Sequence, residues 1–202
     1  MRWSLAHHGL LDSETLKWVA VNLLNGESES ESYRKIHPLG LVPALALHEG
    51  PVLLESLSIL EWLEERGSAA PSLLPEDPLA RAHCRALSLI IASDTQPLQN
   101  LGPQFLHAPD DPEARARWAR HWIREGLAGY EVLARQTAGV FSVGNRLSIA
   151  DLCLVPQLYN ARRYQIAVEE EFPLLTRIEA EALKTPSAKA SHPDRFAPEG
   201  QT

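Results

Sequence analysis

LVPALALHEGPVLLES, from Leu41 to Ser56, holds the reading on which the rest of the chain depends. Its two apolar pieces, Pro43 to His48 and Val52 to Glu55, are split by the turn-forming run His48-Glu49-Gly50-Pro51 and read as a hairpin of two short strands. The second strand passes directly into SLSILEWLEER, where Leu57, Ile59, Leu60, Trp62 and Leu63 form an apolar stripe at helical spacing and Gly67 supplies a stop. Ser56 stands where an N-cap is wanted. The local order is therefore hairpin, then helix.

Working upstream, RWSLAHHG (Arg2 to Gly9) with Trp3, Leu5, Ala6 and Leu10 has a helical rather than an alternating pattern. LKWVAVNLL (Leu16 to Leu24) is apolar on both faces, which suits a strand in a covered sheet. NGESESES is a polar acidic loop, and YRKIHP reads as one or two helical turns ended by Pro38. Working downstream, GSAAPSLLPEDP (Gly67 to Pro78) is a proline-rich connector, and everything beyond it reads helical. Pro78 to Leu101 is one long helical pattern interrupted by Pro97, and Asp111-Pro112 opens a helix to Thr137. Ser148 and Asp151 have N-cap and N3 spacing at the start of another helix, and Pro173 begins a last one to Lys184. The tail KTPSAKASHPDRFAPEGQT is too polar and proline-rich to add core. The expected organisation is a mixed α/β domain at 1–66, a linker at 67–78 and an all-helical domain at 79–202.

Composition removes several classes of function. A net charge of −7 over 202 residues gives the whole chain no electrostatic reason to bind nucleic acid or an anionic membrane, so any anionic ligand must meet a local positive site. No apolar run approaches the roughly 18 residues of a membrane span. The first residues lack the apolar core of a secretory signal. The two cysteines, Cys84 and Cys153, have neither metal-type nor redox-type spacing and read as small buried residues, so no disulfide framework is expected and reducing cytoplasm is the expected compartment. None of the eight histidines, His7 and His8 included, has a partner at metal-ligand spacing, and no metal is expected. Trp118, Trp122 and Leu133 read as a packing stripe.

The sequence of strand, helix, Val42-Pro43, hairpin, Glu55-Ser56 and helix, followed by a helical half, resembles the glutathione transferases. Their architecture is a thioredoxin-like α/β domain followed by an all-α domain. In the helical half, QPLQNLG (Gln96 to Gly102), VGNRLSIADLCLVPQLYNARRYQ (Val143 to Gln165) and SHPDR (Ser191 to Arg195) resemble the zeta class, which contains maleylacetoacetate and maleylpyruvate isomerases. The resemblance implies a cis peptide before Pro43, with the Val42 backbone pairing with the cysteinyl part of glutathione as an added strand. It implies that Glu55 and Ser56 receive the γ-glutamyl end, and that Gln96 and the segment Asn100, Leu101 and Gly102 contact glutathione across the domain cleft. Arg163 matches an arginine that binds the substrate carboxylate, a task suited to guanidinium. Read from the residues alone, each position has a plainer alternative: Val42-Pro43 is a turn, Ser56 an N-cap, the Gln96 run a proline kink with polar surface residues, and Arg163 a surface arginine beside Arg162.

The implied activity is glutathione-dependent cis–trans isomerisation of a small unsaturated keto acid. Maleylacetoacetate to fumarylacetoacetate, in tyrosine and phenylalanine breakdown, is the first expectation; maleylpyruvate isomerisation or general zeta-class transfer is the alternative. A homodimer is expected by analogy. In this class a first strand and a serine-bearing catalytic loop precede the helix that RWSLAHHG matches, so no catalytic residue is assigned within the chain as it stands. Either the coding sequence starts upstream, or the chain is a non-catalytic binding relative. On this reading the strand at Leu16 to Leu24 lacks its sheet neighbour.

Overall fold

The computed structural model describes residues 1–196. The described residues divide into two compact units, one of Met1–Pro71 with residues 190–196, the other of Ser72–Lys189.

The first unit begins with helix α1 (Arg2–His7), which stops at Gly9, where φ is +70° and a side chain would be strained. A 3₁₀ turn at Glu27–Glu29 leads into α2 (Glu31–Arg34), capped by Ser30, whose Oγ accepts from Tyr33 N at 3.2 Å. Strands β1 (Ala44–Ala46) and β2 (Val52–Leu54) pair antiparallel with Ala44 opposite Leu54, and α3 (Ser56–Glu65) follows at once. Leu5 and Leu11 meet Ile59 and Leu63 of α3 in a buried cluster, against which Leu45 and Leu53 of the hairpin pack.

The expected strand at Leu16–Leu24 does not form. Among the described residues the sheet has only the two hairpin strands, so nothing accepts the ladder hydrogen bonds of this segment. Turns satisfy part of its backbone instead, with Glu27 N donating to Asn22 O at 3.1 Å, and Val19 and Leu24 are 74% and 85% exposed rather than covered. The tail also departs from expectation. Ala190 and Phe196 pack against the first unit's apolar cluster. The Phe196 ring lies 5.5 Å from that of Trp18, with the Arg2 guanidinium 4.7 Å from its centroid. The polar composition hid one aromatic anchor, and these C-terminal residues group with the N-terminal unit rather than with the helices before them.

The second unit is helical. Its elements are α4 (Pro78–Leu89), a π-helical turn at Ile90–Thr95, α5 (Gln96–Gln99), α6 (Leu101–His107), α7 (Pro112–Thr137), α8 (Ile149–Arg163), α9 (Val168–Glu171), α10 (Pro173–Ala182) and α11 (Pro186–Ala190). Asp111 caps α7 by accepting from Ala114 N at 2.9 Å. Asp151 closes the start of α8, accepting from Ser148 N at 2.8 Å and from Ser142 N at 2.9 Å. Leu87, Ile91, Ile123, Leu127, Leu154, Leu158, Leu175 and Ile178 fill its core.

The break expected at Pro97 begins earlier, in the π turn. Thr95 Oγ1 donates to Ile90 O at 2.6 Å, a bond that fits the wider turn. The turn lies close against α7 because Gly126 has no side chain; a Cβ there would collide with Thr95. No described helix is long and apolar enough to cross a membrane.

Candidate functional site

In the first unit the hairpin register sets the geometry. Ala44 lies opposite Leu54, so continuing the pairing by two residues carries Val42 and Ser56 to the same end of the hairpin. The Val42-Pro43 peptide is cis, and Val42 is 44% exposed. Neither its N–H nor its C=O makes a backbone hydrogen bond among the described residues, leaving an open edge for an extended ligand.

Ser56 is not the N-cap of α3. That position belongs to Glu55, which makes no side-chain cap bond and has φ +66° and ψ 126°. A non-glycine residue there is strained by about 1–3 kcal/mol, a cost found most often at binding sites. Ser56 becomes the first helical residue, and its hydroxyl has no protein partner among the described residues. The leading N–H groups of α3 have no intrahelical acceptor, and the first internal bond runs from Ile59 N to Glu55 O at 3.0 Å. Open amides, a free hydroxyl and an unpaired carboxylate therefore meet at one helix start. They match an amino acid end group: amides and hydroxyl for its carboxylate, Glu55 for its ammonium.

In the second unit Gln96 is exposed and begins α5. Asn100 adopts an extended ψ of 162° and caps α6, its Oδ1 accepting from Leu101 N at 2.9 Å, so the Leu101 amide is already committed. Gly102 faces open space. The last carbonyls of α5 are already taken. Trp118 Nε1 donates to Leu98 O, and Gln104 Nε2 donates to Gln99 O, both at 2.6 Å.

Arg162 and Arg163 separate cleanly. Arg162 donates to both carboxylate oxygens of Glu179, at 2.9 and 2.6 Å, and to Glu169 at 2.9 Å. Those carboxylates, Glu179 above all, raise its pKa further, while Arg162 holds Glu169 below the usual carboxylate range. Arg163 is exposed and makes no hydrogen bond or ion pair among the described residues. Of this pair, Arg163 alone has an unpaired guanidinium among the described residues.

The other sequence candidates are absorbed by structure. His8 bridges Glu64 and Ser68 at 2.7 Å each, and His7 bonds Pro71 O at 2.7 Å. Cys84 is buried, and its desolvated thiol has a raised pKa. Cys153 is half-buried as a residue, yet its thiol is enclosed and pushed up to about 12, which leaves it protonated and unreactive near neutrality. Trp118 and Trp122 pack ring to ring at 5.8 Å, while Leu133 is 37% exposed and lies outside the core.

Residues 1–66 match the glutathione S-transferase N-terminal domain and residues 127–178 the glutathione S-transferase C-terminal domain. The chain is 38% identical over 200 residues to the maleylacetoacetate isomerase of Pseudomonas aeruginosa, covering 96% of this chain and 89% of that protein. The maleylacetoacetate isomerase of Anaeromyxobacter dehalogenans, solved with glutathione bound in its active site, superposes with a TM-score of 0.84 at 39% identity, covering 98% of this chain and 90% of that one. A maleylpyruvate isomerase described as a bacterial zeta-class glutathione S-transferase superposes at 0.86 with 31% identity, covering 98% and 92%. The chain belongs to the zeta-class glutathione transferases. Thioredoxin-like and helical domains in this order are that family's architecture, and the hairpin and α3 are the thioredoxin-like elements described here.

Within this zeta-class chain, sequence reading passed over the polar residues that hold the α5–α6 break. Gln99 and Gln157 exchange two hydrogen bonds through their side-chain amides, at 3.0 and 2.8 Å, while only 8% and 1% exposed. Gln104 Nε2 also donates to the Tyr164 hydroxyl at 2.9 Å. The sequence signal for the pair is a glutamine within the apolar run LCLVPQL of α8, since a buried amide requires a partner.

Proposed function

We propose that this chain is a glutathione-dependent cis–trans isomerase whose substrate is maleylacetoacetate. The observation that carries the reading is the free Ser56 hydroxyl at the open start of α3, brought by the hairpin register to the same end as the unpaired backbone of Val42. Val42 would pair with the cysteinyl backbone, and Ser56 with the α3 amides would hold the γ-glutamyl carboxylate. Glu55 would take the ammonium. Gln96, Asn100, Leu101 and Gly102 would also contact glutathione; with the Leu101 amide committed, the Asn100 side-chain nitrogen and the Gly102 backbone are the available groups. When bound, glutathione supplies the thiolate that adds reversibly to the cis double bond and lets it rotate. Arg163 would bind the substrate carboxylate as a fork and fix the double bond's orientation.

Maleylpyruvate is the second substrate reading, favoured by the similarity to a zeta-class maleylpyruvate isomerase. Both acids present a carboxylate beside a cis double bond, so the same residues serve either. A homodimer working in the cytoplasm completes the proposal.

Calorimetric titration with glutathione tests the cofactor assignment. Ser56→Ala removes a hydrogen bond to the carboxylate and Glu55→Gln removes the charge that pairs with the ammonium, and each is expected to weaken binding by about tenfold, with folding intact. Unchanged affinity in both variants would remove the α3 start from the site.

A further inference from the structure

We propose that Gln157 is a positioning residue for the cofactor: through Gln99 it holds the Gln96–Gly102 segment in fixed register with α8, the helix that ends in Arg163. The inference rests on the assignment of that segment to glutathione.

At the junction of α5 and α6 the chain turns extended at Asn100, so the last carbonyls of α5 have no helical donors. Leu98 O and Gln99 O are satisfied from outside, by Trp118 of α7 and Gln104 of α6. The Gln99 side chain is satisfied by Gln157, 58 residues further along the chain and in the middle of α8. The paired amides form a two-point contact that resists both sliding and rotation, whereas apolar packing alone would permit a shift. The Tyr164 hydroxyl, accepting from Gln104, adds a second tie between α6 and the end of α8. The site's two chemical tasks in this unit, cofactor contact at Asn100–Gly102 and carboxylate binding at Arg163, are thus referred to one helix.

A residue that only stabilises the fold and one that sets the segment's place give different kinetics. Gln157→Leu strands the Gln99 amide in the interior and is expected to raise the Kd and KM for glutathione by about tenfold, with kcat at saturation within about twofold of wild type. Loss confined to kcat, or no change in either constant, would overturn the proposal.

The double variant Gln99→Met/Gln157→Met covers the case in which Gln157→Leu does not fold. It removes both amides together, so no unsatisfied group is buried and stability is expected near wild type. Its glutathione KM should remain raised by about threefold or more, because the directional contact is gone. Recovery of wild-type KM along with wild-type stability would show the pair to be structural and overturn the proposal. Wild-type protein that binds no glutathione would overturn the cofactor assignment and this inference with it. Wild-type protein that binds, alongside variants that bind equally well, would overturn this inference alone.

Discussion

Arg162 and Arg163 are adjacent on α8, yet the first is bound to two glutamates and the second has no partner among the described residues. Successive helical positions point about 100° apart, so one turn of backbone delivers one structural and one available cation.

Their substitutions should therefore part company. Arg163→Ala is expected to raise the KM for the keto-acid substrate at least about tenfold, leaving glutathione affinity and thermal stability unchanged. Arg162→Ala should instead cost about 1–2 kcal/mol of stability by leaving the buried Glu179 carboxylate unpaired, a value reduced for the partial exposure of Arg162. Steady-state kinetics and thermal denaturation of both variants check the division. A stable Arg162→Ala beside an unchanged KM in Arg163→Ala would contradict both assignments.

The legible parts of the fold are those with local causes. Asp111-Pro112 and Ser148 with Asp151 mark their helices because each cap acts within a few residues. Pro43 to Ser56 reads as hairpin and helix for the same reason. Leu16 to Leu24 departs from its pattern because an apolar run becomes a strand only beside another strand. The π turn depends on Thr95 meeting Gly126, and the tail on Phe196 meeting Trp18 and Arg2, which are contacts that no local pattern announces. Of the proposed glutathione contacts, Val42, Glu55 and Ser56 come from the family resemblance, and the hairpin register carries Val42 and Ser56 to one end. The Gln99–Gln157 pair was missed because its members share neither an element nor a motif.

The tail contact predicts a long-range effect. Phe196→Ala removes the ring held between Trp18 and Arg2 and is expected to destabilise the first unit by about 1–2 kcal/mol, less than a fully buried Phe→Ala change. Hydrogen exchange should quicken in α1 and α3 while α7 and α8 keep their protection. Equal protection in α1 before and after the substitution would show the contact to be without consequence.

The Arg124–Glu171 pair predicts a pH dependence. Arg124 donates to both Glu171 oxygens at 2.7 and 3.0 Å and holds that carboxyl below its ordinary range. A depressed folded pKa gives stability that is complete above the unfolded value, about 4.3, and disappears as pH falls through the folded value. Wild type should exceed Glu171→Gln by about 0.5 kcal/mol at pH 7, as for a largely exposed pair. The gap should close below pH of about 4. Melting curves of the two proteins across this range would contradict the assignment if the gap widened on acidification.

The most direct test of the central claim is the isomerisation of maleylacetoacetate by the purified chain, followed with and without glutathione while free thiol is measured alongside. The account predicts fumarylacetoacetate formation that requires glutathione and saturates with it, with no net loss of thiol over many turnovers. Isomerisation at the same rate without glutathione, or one thiol consumed for each product formed, would contradict it.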